Sequence, residues 1–236
     1  MALLCFINIL IRSFQHKDAV LSGYWDTHNL WITWSPKCGL TTMNHLYTDY
    51  RRSLNFKEYT NNNPKIVTII RNPLERAISI YNYNMYRLPY APNTQQKRIR
   101  EAEHNYNTMV TTIRNKFPDV STLQYNENRF LFWLNEILPL AIKADGHSMP
   151  QNTSWKYPKN ITKSKYWILE DLNRHLLKVF QYQPKRKYQN EGRYNKEIML
   201  KLLDLPGVKE QLTEYYYDDT IIFNQAIHRR KYASVN

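Results

Sequence analysis

Apolar positions along this chain follow two patterns. Short unbroken runs occur at Leu30–Thr33 (LWIT), at residues 66–70 within KIVTII, and in KYWILEDL at residues 165–172. Runs of this length, rich in β-branched and aromatic side chains and flanked by Asn, Pro or Gly, predict buried strands. The second pattern has the helical period. Ile99, Ala102, Tyr106, Met109, Ile113 and Phe117 recur at steps of three and four, which predicts a helix over 95–117. Phe130, Trp133, Leu134, Ile137 and Leu138 mark another, and residues 195–228 read as helical in two pieces broken near Pro206-Gly207. The third strand runs on into a helix that continues through Phe180. Residues 41–53 have helix-compatible spacing after the first strand, with threonine, a favoured residue at helix starts, at their head. After the second strand, Pro73 suits a first helical turn and Glu75 its positive end. Ile78 and Ile80 read as core, and Glu75 and Arg76 as surface charges. Strands alternating with helices imply an α/β fold with a mainly parallel sheet. Its ligands are expected beyond the carboxyl ends of the strands.

Length and charge narrow this picture. The 236 residues suffice for one sizeable domain, read as spanning 1–236 with its core at about 30–228. No internal repeat and no long linker divides it. Lys and Arg number 33 against 20 Asp and Glu, a net charge of +13 that points to an anionic ligand without naming its class. The two cysteines, Cys5 and Cys38, make no disulfide framework, and a bond between them would deform the loop holding Cys38; a reducing compartment is the simpler reading. The opening MALLCFINILI is shorter than the roughly 20 residues of a membrane span, and no basic segment precedes it. The expectation is a protein without a transmembrane span, cytoplasmic or otherwise soluble. A secretory lumen is the alternative if the apolar start acts as a signal. Asn152 and Asn160 match the glycosylation acceptor pattern, a cheap match in a chain so rich in asparagine.

Two loops carry the candidate chemistry. WSPKCGLTTMNHLY resembles a phosphate-binding loop with its lysine displaced: Lys37 precedes Gly39, whereas a Walker loop ends in Gly-Lys-Ser/Thr. Between a strand and a helix start, Lys37, Gly39, Thr41 and Thr42 supply a cation, a close-approach glycine and two hydroxyls, the parts of an anion nest. An ordinary turn is the alternative. The second loop, RNPLERAISIY, begins with Arg71 at a strand end and carries Ser79 two turns into the next helix. An arginine and a serine are able to share one phosphate by charge and by hydrogen bond.

PKCGLTT followed by RNPLERAISIY resembles the paired signature of the PAPS-dependent sulfotransferases. DGHSMPQ (residues 145–151), WILEDL, and YYYDDTIIF with Tyr216, Asp219 and Phe223 are similar in order and rough spacing to the Golgi carbohydrate sulfotransferases. GLTTMNHL, with His45, also resembles the start of the heparan sulfate 6-O-sulfotransferases. The match covers most of the chain from about Trp31 to Phe223. The resemblance implies a P-loop-like three-layer fold with a central mainly parallel sheet flanked by helices. It implies a donor, 3′-phosphoadenosine 5′-phosphosulfate, and a carbohydrate acceptor, with an acidic glycan suited to the charge. Lys37, Cys38, Gly39, Leu40, Thr41 and Thr42 would then meet the 5′-phosphosulfate, with Lys37 catalytic. Arg71 and Ser79 would hold the 3′-phosphate, and Arg193 in YQNEGR would close over the nucleotide. His147 is the candidate base, because a histidine near neutrality suits proton removal from a hydroxyl. His45, Glu58 and His104 are the other candidates, and Glu170 reads as a cap. The scheme calls for no metal.

Departures and rivals stand beside this reading. The Golgi enzymes carry an amino-terminal anchor and luminal cysteines that this sequence does not show, and after Gln151 it reads NTSWKYPKN. The acceptor and the oligomeric state stay open. A small-molecule P-loop kinase would need a lysine after the glycine. A nucleic-acid-binding protein would cluster its basic residues on one face, whereas KRIR at 97–100 and PKRK at 184–187 are separate dense runs that read as solvated faces. An inactive descendant that binds a nucleotide or an anionic polymer is the remaining rival.

Overall fold

A computed structural model describes residues 15–16, 19–20, 22–25, 28–51, 65–86, 89, 100–118, 125–154, 165–183 and 196–233. Its elements are, in chain order, β1 (Gln15–His16), β2 (Ala19–Val20), β3 (Ser22–Trp25), β4 (Leu30–Thr33), α1 (Leu40–Arg51), β5 (Lys65–Ile70), α2 (Pro73–Tyr86), α3 (Arg100–Lys116) and α4 (Glu127–Phe132). A π-helical turn (Trp133–Ile137), α5 (Leu138–Ala144), α6 (Gln151–Ser154), β6 (Lys165–Ile168), a 3₁₀ turn (Leu169–Asp171) and α7 (Leu172–Phe180) follow. After α8 (Lys196–Leu200) and a second 3₁₀ turn (Lys201–Asp204) come α9 (Val208–Tyr215) and α10 (Tyr217–Ala233). The fold is mixed α/β and mostly helical.

The three apolar runs became the strands expected of them. They lie side by side in the order β4-β5-β6, all parallel, and β3 adds an antiparallel edge to β4. Ile70 pairs with Ile168 and Thr33 with Thr68, so the three parallel strands end toward one edge of the sheet. β1 to β3 were not legible in the sequence, being only two to four residues long.

The chain forms two compact units, each built from separated segments: residues 1–71, 151–190 and 223–236, and residues 72–150 with 191–222. In the first unit, Trp25, Ile32, Trp34, Met43, Ile69 and Leu176 are buried among the strands, α1 and α7. In the second, α2 packs its apolar face on the α3–α5 segment, with Tyr81, Phe130 and Trp133 meeting ring to ring at 5.0–5.4 Å. Such tilted and edge contacts suit the aromatic quadrupole.

Asn72 explains why α2 starts where it does. Its Oδ1 accepts from the N–H groups of Leu74 (2.9 Å) and Glu75 (3.4 Å), capping a helix that Pro73 opens. The expected helix through Phe130 and Leu138 is real but interrupted. Pro139 has no N–H and its ring would strike the carbonyl four residues back. The helix widens just before it, and the Leu138 N–H reaches the Trp133 carbonyl instead. The carboxy-terminal helical region also departs from expectation. It is cut at Gly207 (φ 75°) and again at Tyr216, so three α-helices and a 3₁₀ turn stand in place of two pieces. Among the described residues, no helix is long and apolar enough to cross a membrane.

Candidate functional site

In the first unit the loop after β4 is a tight turn. The Cys38 N–H donates to the Ser35 carbonyl at 3.1 Å, with Pro36 and Lys37 as the central residues. Proline at the first central position and a positive φ at the second is the type II pattern, which favours glycine second. Here the second residue is Lys37, at φ 65°. Gly39 follows at φ 81°, and its carbonyl accepts the first helical bond of α1, from the Met43 N–H at 2.9 Å. A methyl on Gly39 would meet Leu172 Cδ2 at 2.9 Å and Leu169 Cδ1 at 3.0 Å, so the residue is needed for space as well as for φ. Beyond it, the N–H groups of Leu40, Thr41 and Thr42 stand at the head of α1, where no carbonyl of the helix reaches them. Only the backbone of Thr41 is described; the Thr42 side chain is buried.

Arg71 leaves the end of β5 and is tied to this turn twice. Its Nη1 donates to the Lys37 carbonyl at 3.2 Å. Its backbone is gripped by Gln151, the first residue of α6, whose Oε1 accepts the Arg71 N–H and whose Nε2 donates to the Arg71 carbonyl, both at 2.9 Å. The same Oε1 accepts the Cys38 thiol at 2.9 Å, and Ser35 Oγ donates to Cys38 Sγ at 3.2 Å. Both the N–H and the S–H of Cys38 thus go to acceptors inside the chain. Lys37, Cys38, Gly39 and Arg71 are brought together, and the side chain that joins them is Gln151. Its presence in DGHSMPQ was the one available signal, since a buried Gln otherwise carries no mark in sequence.

His147 and Ser79 belong to the second unit. Ser79 is half-buried in α2. His147 lies just beyond α5 and its Nδ1 is 3.0 Å from Asp145 Oδ1; the histidine is 24% exposed and the aspartate 1%. The ring stacks on Tyr83 at 4.2 Å, with 29° between planes. Ser148 Oγ donates to the second Asp145 oxygen at 3.0 Å, and Asn84 Nδ2 donates to Ser148 Oγ at 3.1 Å. Burial alone would push the Asp145 carboxyl up, but the hydrogen bond and charge of His147, with help from Ser148, hold it below the usual aspartate range. Ser148 is no nucleophile partnered with His147, because its hydroxyl serves the carboxylate and not the imidazole.

Arg76 corrects an expectation. It is buried, not a surface charge: Nη2 donates to the carbonyls of His147 (3.1 Å) and Met149 (2.7 Å), and the guanidinium lies 5.7 Å over the Tyr216 ring. Tyr216 donates its hydroxyl to the Ser148 carbonyl between them, at 2.9 Å. Burial pushes this phenol well above its ordinary pKa and keeps the donor proton on it. Residues 147–149 are therefore held by three consecutive carbonyls.

The remaining candidates are dispersed. His45 is half-buried in α1 and His104 exposed on α3. Arg193 and Glu58 lie outside the described residues. Glu170 is exposed on the 3₁₀ turn, and no side chain caps α7; Asp171, just before it, pairs with Arg230 at 3.0 Å and Arg174 at 3.4 Å. Among the described residues, no three His, Cys, Asp or Glu gather as a metal site would need. Compared with protein-family models, curated proteins and solved structures, the chain matches none.

Proposed function

We propose that the chain is a PAPS-dependent sulfotransferase, moving the sulfuryl group of 3′-phosphoadenosine 5′-phosphosulfate to a hydroxyl of a carbohydrate acceptor. In this reading the parallel strands β4 to β6 and their helices belong to a P-loop-like three-layer fold. The observation that carries it is Lys37. A lysine occupies a left-handed turn position that favours glycine, directly before a glycine and a helix start, and backbone strain of this kind collects at functional sites. The donor set fits an anion: one ammonium, one guanidinium and the N–H groups of a helix start.

The bound donor supplies an activated sulfuryl group, whose bond to the phosphate oxygen breaks as one forms to the acceptor oxygen. Lys37 offsets charge that builds on the leaving oxygen, a contribution preorganised by the turn. Leu40, Thr41 and Thr42 donate to the 5′-phosphosulfate, with Cys38 and Gly39 shaping the turn that carries them. Arg71 and Ser79 hold the 3′-phosphate, and Arg193 covers the nucleotide. His147 takes the acceptor proton. The scheme needs no metal, and the net charge of +13 suits acidic glycans among the acceptors.

Calorimetric titration with adenosine 3′,5′-bisphosphate, with AMP and ATP as controls and no magnesium, tests the reading. The expected result is binding that requires the 3′-phosphate. No binding, or a preference for ATP with magnesium, would reject it in favour of kinase-type chemistry or none.

A further inference from the structure

The second unit holds a buried carboxylate whose two oxygens are both committed. Asp145 Oδ2 accepts the Ser148 hydroxyl and Oδ1 faces His147 Nδ1, each at 3.0 Å. An ionised carboxylate only accepts hydrogen bonds. The proton of a neutral His147 must then sit on Nδ1, which leaves the lone pair on Nε2. No described residue hydrogen-bonds to Nε2. The ring has little freedom to turn away from this arrangement. Tyr83 stacks on it, and Arg76 and Tyr216 hold the carbonyls of residues 147 to 149. Ser148 is itself seated by Asn84, so the carboxylate cannot rotate without breaking both of its bonds.

From this geometry we infer that Asp145 is a positioning residue for His147: it fixes the Nδ1–H tautomer and aims Nε2, the proton acceptor, at the acceptor hydroxyl. The role in transfer rests on His147 being the base of the proposed sulfotransferase; the tautomer does not. When the proton moves from the hydroxyl to Nε2, the imidazolium that forms keeps its Nδ1–H on Asp145, and the new charge faces an existing opposite one. An aspartate in this relation stabilises the charged ring without taking its proton. Arg76 donates to the carbonyls of His147 and Met149 rather than to the Asp145 carboxylate.

Two-bond ¹H–¹⁵N correlation on ¹⁵N-histidine-labelled full-length chain reads the tautomer directly, with the His147 signal assigned by its loss in His147→Gln. In the unsubstituted protein at neutral pH the proton is expected on Nδ1. In Asp145→Asn the preference is expected to be lost, and transfer of labelled sulfate to a panel of neutral and uronic-acid-containing oligosaccharides to fall roughly 10²–10⁴-fold in kcat. Affinity for adenosine 3′,5′-bisphosphate should be unchanged, as a merely structural lesion would not leave it. A proton on Nε2 in the unsubstituted protein overturns the inference without any variant having to fold, and so does an Asp145→Asn chain with an unaltered tautomer. Wild-type transfer by His147→Gln would instead remove the base from the proposed function and, with it, the positioning role in transfer, while the tautomer would still be read.

Discussion

Lys37 holds a backbone conformation that a Cβ disfavours by about 1–2 kcal/mol. Its neighbour Gly39 shows the opposite case, a glycine where φ is positive and where any side chain would strike Leu172. Were the turn merely a connection, glycine would serve better at 37 as well. Lys37→Gly is therefore expected to raise the free energy of unfolding by about 0.5–1 kcal/mol and to abolish transfer. Lys37→Ala keeps the strain and should leave stability close to unchanged while losing transfer to the same degree. Urea unfolding and labelled-sulfate transfer on both variants separate the two effects. Turnover retained in Lys37→Ala would remove the lysine from the chemistry.

At the scale of elements, the loop after β4 and the end of β5 are joined by a helix of four residues. The Gln151 amide pairs with the Arg71 backbone as a neighbouring strand would, extending β5 by one residue beyond its last ladder partner. Gln151→Ala would leave the Arg71 N–H and carbonyl and the Cys38 thiol without that partner. Each buried polar group so stranded costs about 1–3 kcal/mol. The expected outcome is a lower unfolding midpoint together with weaker binding of adenosine 3′,5′-bisphosphate, because the Lys37 turn loses its brace. Gln151→Glu keeps the shape but not the donor, and should fall between the two. A variant that unfolds early yet binds the nucleotide with full affinity would separate the clamp from the site.

Over the whole molecule, acid is the condition that its charges resist least. Lowering the pH neutralises carboxylates while the lysines and arginines stay charged, so the positive self-repulsion grows from an already large +13. Asp145 adds to this. Its folded pKa lies below the unfolded value of about 3.9, so the folded state binds fewer protons in that range. Its contribution is complete above about pH 4 and is lost as the pH falls through the lower folded pKa. Unfolding followed from about pH 5 downward should thus show a shallower loss of stability in Asp145→Asn than in the unsubstituted chain. Equal slopes would mean that the carboxyl has the same pKa in the folded and unfolded states, and a steeper loss in Asp145→Asn would mean that folding raises it.

Much of this architecture can be read from one dimension, because period and punctuation are local. The three apolar runs became β4, β5 and β6, the three-and-four spacing expected over 95–117 became α3 over Arg100–Lys116, with residues 95–99 outside the described residues, and Pro73 opened α2. The Lys37 loop and Arg71 also stood out, since a strand end followed by a helix start is a local signal. Other features required the folded chain. Asn72 as a cap, the widening before Pro139 and the second break at Tyr216 depend on which backbone groups find partners. Arg76 reads as a surface charge until the carbonyls of His147 and Met149 close around it. Gln151 lies 80 residues from Arg71, and nothing in either neighbourhood says that they meet. Composition and periodicity determined the strands, the helices and the chemistry available at their ends. Only tertiary packing decided which polar groups were removed from water, and those groups had to find partners wherever the fold brought them.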